Sequence, residues 1–181
     1  FGNRGGVKAI LGDLHGALAD YDQALELDPR DGDRYRNRGL VKEQLGDLRG
    51  ALADYDRALE LDSRRADAHG NRGVLKAKLG DLRGALADLD RALELDPRHV
   101  NAYGNRGGVR RQLGDLRGAL ADYDRAIDLD PRNQSYYHHR GVIKVNLGDL
   151  RGALSESNQA VELHPRNAAA LVERSRVKAQ L

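Results

Sequence analysis

Apolar residues recur along this chain at helical spacing, in short blocks that end at a glycine or a proline. Residues 103–133 contain two such blocks in succession. Gly114 ends the first, because glycine readily adopts the left-handed conformation that terminates helices, and Pro131 cannot continue the second. Asp115 follows the glycine directly, where its carboxylate can accept a hydrogen bond from the first N–H groups of the next helix. The pattern predicts two α-helices of about 13 residues each, joined at Gly-Asp.

The same pattern returns every 34 residues, as the spacing of the last three prolines illustrates. Glycine gives a sharper test, because it costs about 1 kcal/mol in a helix interior and should not accumulate there by chance. Glycines and alanines nevertheless share this period. A fixed period of this length is typical of an all-α solenoid built from antiparallel helix–turn–helix repeats. The repeated positions include Pro97, Pro131 and Pro165; Gly12, Gly46, Gly80, Gly114 and Gly148; and Ala17, Ala51, Ala85, Ala119 and Ala153.

One repeat carries enough of a known motif to indicate a family. Its pattern resembles the tetratricopeptide repeat, and the matching residues are Tyr103, Gly107, Leu113, Gly114, Asp115, Ala119, Tyr123, Ala126 and Pro131. The resemblance covers the whole chain and implies one α-solenoid over residues 1–181 that forms a right-handed superhelix. It divides the chain into repeats 1–31, 32–65, 66–99, 100–133 and 134–167, followed by a first helix at 168–181.

Positions that recur every 34 residues form a column, and two such columns contain departures from the family pattern. Both ends of the chain are also incomplete as repeats. Ser157 replaces the tyrosine of the second helices, and His69 replaces an aromatic residue of the first helices. The fifth repeat departs most, which indicates either a local contact site or a repacked junction. Because terminal repeats normally need a polar cap, we expect the sequence to be a segment of a longer protein. The tyrosine column is Tyr21, Tyr55 and Tyr123, and the aromatic column is Phe1, Tyr35, Tyr103 and Tyr137.

Composition restricts the classes of function. The chain has 30 basic and 28 acidic residues, which argues against a general nucleic-acid surface. It has no cysteine and no long apolar run, so we expect neither thiolate metal sites nor a membrane span, and favour a soluble intracellular or organellar protein. The adjacent His138 and His139 would diverge by about 100° on a helix and cannot share a metal as an i,i+4 pair could. No catalytic constellation is present, so we expect no enzymatic activity, cofactor or metal.

Charged residues follow the repeat as well. First helices carry a column of arginines, and second helices carry two columns of acids. A feature that recurs in every repeat favours a structural role over a track for acidic ligands. We therefore predict a ladder in which each arginine pairs with an acid of a packed second helix, in its own repeat or the adjacent one. The arginines are Arg4, Arg38, Arg72, Arg106, Arg140 and Arg174; the acids are Asp20, Asp54, Asp88, Asp122 and Glu156, and then Asp22, Asp56, Asp90 and Asp124.

Residues that vary between repeats are the better guide to a ligand. The resemblance implies that first helices line the concave face of the solenoid, where a protein or peptide partner binds. Asparagine recurs at one of these positions and could hold a peptide backbone, since its amide both donates and accepts. The expected groove residues are Asp33, Arg36, Asn37, Glu43, Gln44, Asn71, Lys78, Asn105, Arg111, Gln112, His138, His139 and Asn146.

Three functions fit these observations. The first is a non-catalytic scaffold that holds a partner segment in its groove. The second is a structural or assembly subunit of a larger complex, including one in a photosynthetic membrane, to which similar repeat arrays give a weak analogy. The third is the recognition arm of an enzyme whose catalytic domain lies outside this segment.

Overall fold

The structure is a computed structural model that describes residues 2–181. Within that range it contains eleven α-helices and no strand, so the all-α prediction is confirmed. Phe1, the first member of the aromatic column, lies outside the described residues. The helices are α1 (Gly2–Ile10), α2 (Leu14–Leu27), α3 (Gly32–Gln44), α4 (Leu48–Leu61), α5 (Ala66–Lys78), α6 (Leu82–Leu95), α7 (Val100–Gln112), α8 (Leu116–Leu129), α9 (Gln134–Asn146), α10 (Leu150–Leu163) and α11 (Ala168–Lys178).

The Gly-Asp dipeptide joins the two helices of each pair. Gly114 has φ +84°, in the left-handed region, and its N–H donates to the carbonyl of Arg111 at 3.1 Å. Asp115 then caps α8, because its side chain accepts a hydrogen bond of 2.9 Å from the N–H of Gly118. The same junction recurs in the other four pairs, as the sequence predicts.

At two of the turns between helix pairs, a side chain of the aromatic column contacts the backbone of the turn. The hydroxyl of Tyr137 donates to the carbonyl oxygen of Pro131 at 3.0 Å. His69, which occupies the same column, places its Nε2 atom 3.1 Å from the carbonyl oxygen of Ser63. The histidine therefore reproduces the contact of the tyrosine, since Ser63 and Pro131 also share a column.

The chain divides into two compact units, residues 1–97 and 98–181. In the first unit, neighbouring helix pairs pack around second-helix tyrosines: Tyr21 contacts Val41, and Tyr55 contacts Leu75. The second unit has a core that contains Tyr123 and Ile143. The single solenoid, its repeat boundaries and its superhelical hand remain predictions.

First-helix glycines lie against the second-helix tyrosine rings, most closely at Gly39. A Cβ atom on Gly39 would lie 2.7 Å from Cε1 of Tyr55, closer than a methyl group can approach. On Gly107 it would lie 3.1 Å from the ring of Tyr123. The repeated glycine and tyrosine columns are therefore two halves of one packing contact.

Candidate functional site

Buried carboxylates on the second helices anchor the repeated charges. Asp88 is 4% exposed and accepts from Arg72 through Nε at 2.9 Å and Nη2 at 2.6 Å. The ammonium of Lys76 lies 2.8 Å from Oδ2, the oxygen that also accepts from Nε of Arg72. Burial opposes ionisation of Asp88, but the hydrogen bonds from Arg72 and Lys76 outweigh it and hold the pKa of the carboxyl below its usual range.

The same arginines also reach the preceding helix pair. Nη1 of Arg72 donates to Asp56 at 2.7 Å, and Nη1 of Arg38 donates to Asp22 at 2.7 Å. In the second unit, Arg140 bridges Glu156 and Asp124 in the same way. The predicted ladder is thus present within repeats and across to their neighbours, except at Arg174, for which the described residues provide no acidic partner. Its pairs within one repeat are Arg4–Asp20, Arg38–Asp54, Arg72–Asp88, Arg106–Asp122 and Arg140–Glu156.

Several expected groove residues of the first unit form ion pairs that join one first helix to the next. Nζ of Lys78 on α5 lies 2.6 Å from Oε1 of Glu43 on α3, and Nε of Arg36 lies 3.0 Å from Asp67. Glu43 also accepts a 3.1 Å hydrogen bond from the hydroxyl of Tyr55. Burial, and then the carboxylate of Glu43, raise the pKa of Tyr55 and keep this hydroxyl a donor.

Other expected residues of this unit lie at an open cavity. Asn37 and Gln44 line a cavity of about 330 Å³ together with Leu40, Gly6 and Tyr21. Asp33 is exposed and paired with Arg65, the residue that precedes α5. Asn71 is partly exposed on α5.

In the second unit, the structure brings the two histidines to one surface. The ring of His139 stacks on Tyr123 with centroids 5.4 Å apart, and His138 is exposed. Burial, followed by the nearby His138 and Arg111, lowers the pKa of His139. Arg111 also acts on Tyr123, whose pKa is raised by burial and lowered in part by that guanidinium. The remaining expected positions, all exposed, are Asn105, Gln112 and Asn146.

Both histidines line a cavity of about 240 Å³ among α9, α10 and α11. Sequence reasoning did not select Asn167 or Glu173, which line it too. The Nδ2 of Asn167 donates to Gln134 at 2.7 Å and links the starts of α9 and α11. A signal for Glu173 was available, because it stands 34 residues after His139 in the column that holds asparagine elsewhere.

Within residues 2–181, no three side chains of histidine, cysteine, aspartate or glutamate come together as metal ligands. None of the helices in this range is both long and apolar enough to cross a membrane.

Family profiles match most of the chain. One, described as tetratricopeptide repeat, matches residues 71–134, and another, described as TPR repeat, matches residues 5–46 and 42–80. The chain belongs to the tetratricopeptide repeat family. Members of this family bind protein or peptide partners and are generally non-catalytic, so the chain has the fold of a protein–protein interaction scaffold.

Solved tetratricopeptide repeat structures are similar over nearly the whole chain. YrrB, described as a TPR protein with an unusual peptide-binding site, is 26% identical, with 96% of this chain and 90% of that one covered and a TM-score of 0.78. PilF of Pseudomonas aeruginosa is 21% identical, with 98% and 81% covered and a TM-score of 0.89. MamA is 24% identical, with 91% and 96% covered and a TM-score of 0.81. No curated protein matches the chain by sequence.

Proposed function

We propose that, in each unit, the face formed by the first helices of this tetratricopeptide repeat protein binds an extended segment of a protein partner. The contact residues in the first unit are Asp33, Arg36, Asn37, Glu43, Gln44, Asn71 and Lys78. Those in the second unit are Asn105, Arg111, Gln112, His138, His139 and Asn146.

The observation that carries this proposal is the separation of the repeated charges from the varied residues. Arg38 and Arg72 are engaged with carboxylates of the second helices and are less than one fifth exposed. The residues that differ between repeats, such as Gln44 and His138, instead line open cavities. A surface whose chemistry changes along its length can recognise a particular partner sequence.

Ion pairs on this face already join neighbouring first helices before any partner arrives. The Lys78–Glu43 and Arg36–Asp67 pairs connect α5 to α3 on the side that carries these residues. Preorganised surfaces bind more tightly, because fewer side chains lose freedom on association. The peptide-binding site in the printed description of YrrB, 26% identical, is a further reason to look for a peptide here.

Site-specific photo-crosslinking tests the proposal. A photoreactive residue would replace Gln44 in the first unit or His138 in the second, with Arg57 and Arg125 on second helices as exposed controls. We expect adducts at the first-helix positions, each mapping to a short continuous segment of the partner by mass spectrometry. Adducts formed only at the control positions, in fixed stoichiometry, would contradict groove binding and favour an assembly subunit.

A further inference from the structure

The cavity of about 240 Å³ in the second unit occupies a place that a tyrosine fills in other repeats. In the pairs α1–α2, α3–α4 and α7–α8, a tyrosine ring of the second helix packs against a glycine of the first helix. In the pair α9–α10 the glycine is kept as Gly141, but Ser157 stands where the ring would begin. Both residues line the cavity.

Distances show that no side-chain ring fills the space beside Gly141. A Cβ atom on Gly5 would lie 3.3 Å from the ring of Tyr21, and the Gly39 position is tighter still. On Gly141 its nearest neighbour would be Cβ of Glu156 at 3.3 Å, with no ring among the atoms close by. Ala160 and Ala170 also line the cavity, and their small side chains leave this space unfilled.

Glu173 and Ser157 place hydrogen-bond acceptors at this cavity, beside side chains that can also donate, such as Asn167 and His139. Oε1 of Glu173 is buried without a hydrogen-bond partner, in a side chain that is 17% exposed. The hydroxyl of Ser157 donates to the carbonyl of Ala153 at 2.9 Å, which leaves its lone pairs able to accept. No arginine or lysine is among the lining residues. The unpartnered oxygen of Glu173 therefore suits an apolar ring that carries a donor, and its carboxylate disfavours an anion.

We propose that this cavity receives an unmodified tyrosine side chain from the bound partner segment. Its volume lies below the roughly 300–1,000 Å³ of pockets that hold whole small molecules, which is consistent with a single side chain. The phenol ring replaces the missing ring against Gly141, and its hydroxyl donates to Ser157 or Glu173. This inference rests on the proposed function, because the tyrosine belongs to a segment held on the same face.

Titration with p-cresol, which has the structure of a tyrosine side chain, tests the cavity in the intact chain. We expect saturable NMR shifts centred on Gly141, Ser157 and Ala170. Because Glu173 repels an added anion, p-tolyl phosphate should bind at least about tenfold more weakly. Replacing Glu173 by glutamine (Glu173→Gln) should narrow that difference. Absence of saturable shifts with p-cresol, or equal binding of the phosphate, would overturn the proposal.

A matched pair of variants locates the binding. Ser157→Tyr restores the family pattern and fills the cavity, so p-cresol affinity should fall at least about tenfold, equivalent to about 1.4 kcal/mol. Ser155→Tyr adds the same ring at an exposed position of α10 and should leave affinity unchanged. Retained affinity in Ser157→Tyr would contradict the assignment. If Ser157→Tyr does not fold, the titrations of the wild type and of Glu173→Gln with p-cresol and p-tolyl phosphate still test the proposal.

The two proposals fail differently. If p-cresol binds but first-helix crosslinks capture no segment, groove binding is wrong and only the affinity of the cavity for a phenol ring stands. If crosslinking from His138 captures a segment equally well in Ser157→Tyr, the groove stands and the tyrosine assignment is wrong.

Discussion

A single guanidinium of the ladder serves three carboxylate oxygens. Arg72 contacts both oxygens of Asp88 and one of Asp56, at 2.6–2.9 Å. The planar fork of arginine matches a carboxylate through two parallel hydrogen bonds, which a lysine ammonium cannot reproduce. Lys76, one turn along the helix, adds a charge to the same aspartate. The arginine column is therefore structural.

Removal of that arginine should destabilise the protein strongly. In Arg72→Ala the buried carboxylate of Asp88 keeps Lys76 but loses its bidentate partner, and we expect the free energy of unfolding to fall by about 3 kcal/mol. Arg91 makes an exposed pair with Glu94, and Arg91→Ala should cost about 0–1 kcal/mol. Chemical denaturation of the two variants measures the difference. Equal, small losses would show that the ladder does not stabilise the fold.

His139 should make stability depend on pH in the weakly acidic range. Its pKa is lowered in the folded state, so the unfolded chain binds more protons and stability increases with pH. This contribution is complete above the unfolded pKa of about 6.5 and is lost as pH falls through the folded value. NMR titration of the His139 ring should give a midpoint below that of an unfolded peptide.

A variant separates this effect from other titrations. His139→Phe keeps a ring against Tyr123 and cannot bind a proton. We expect its unfolding free energy to fall less than that of the wild type between pH 7.5 and pH 5.5, a window around the reference pKa of about 6.5. An identical pH dependence in both proteins would show that His139 does not contribute to the change of unfolding free energy with pH.

At the scale of helices, two glycine-to-alanine substitutions near the C-terminal end of α7 test the Gly-Asp junction. One should lower the stability of the protein and the other should raise it. Gly114 has φ +84° and open space around it, so Gly114→Ala introduces only backbone strain, about 1–2 kcal/mol of destabilisation. Gly108 lies inside α7, where an added Cβ would be 3.6 Å from the Tyr123 hydroxyl, an ordinary contact. Gly108→Ala should stabilise by about 0.5–1 kcal/mol. Thermal unfolding that shifts both variants the same way would contradict this account.

Helix junctions could be predicted from sequence because their signals are local. Gly114 ends α7 and Asp115 caps α8 through contacts within a few residues of the chain. The candidate site depends instead on side chains that meet across helices. Nothing local indicates that His139 stacks on Tyr123, and the open space at Ser157 follows from what its neighbours fail to fill.

At the scale of the molecule, helices pack mainly against those next to them in sequence. In such a chain, stability is a sum of repeat and nearest-neighbour terms, and a local defect has mainly local effects. Leu75 and Ile143 occupy the same column, one in each compact unit, and both are fully buried. They provide equivalent substitutions for measuring how far a defect spreads.

Hydrogen exchange on Leu75→Ala and Ile143→Ala should give mirrored patterns. Each substitution removes buried apolar contacts worth about 2–5 kcal/mol. We expect Ile143→Ala to reduce amide protection most in α8 and α9, and Leu75→Ala to reduce it most in α4 and α5. Uniform loss over residues 2–181 in both variants would instead support one cooperative solenoid.

The ladder also bears on how such a chain can change its length. Arg38 stands 16 residues after Asp22 and 16 before Asp54. Tandem duplication of the DNA that encodes 34 residues regenerates both acidic partners for the new arginine, so every ion pair of the ladder survives. One residue inserted within a helix would turn the positions beyond it by about 100° and direct the guanidinium away from its carboxylates. We therefore expect natural length variants to differ by whole repeats.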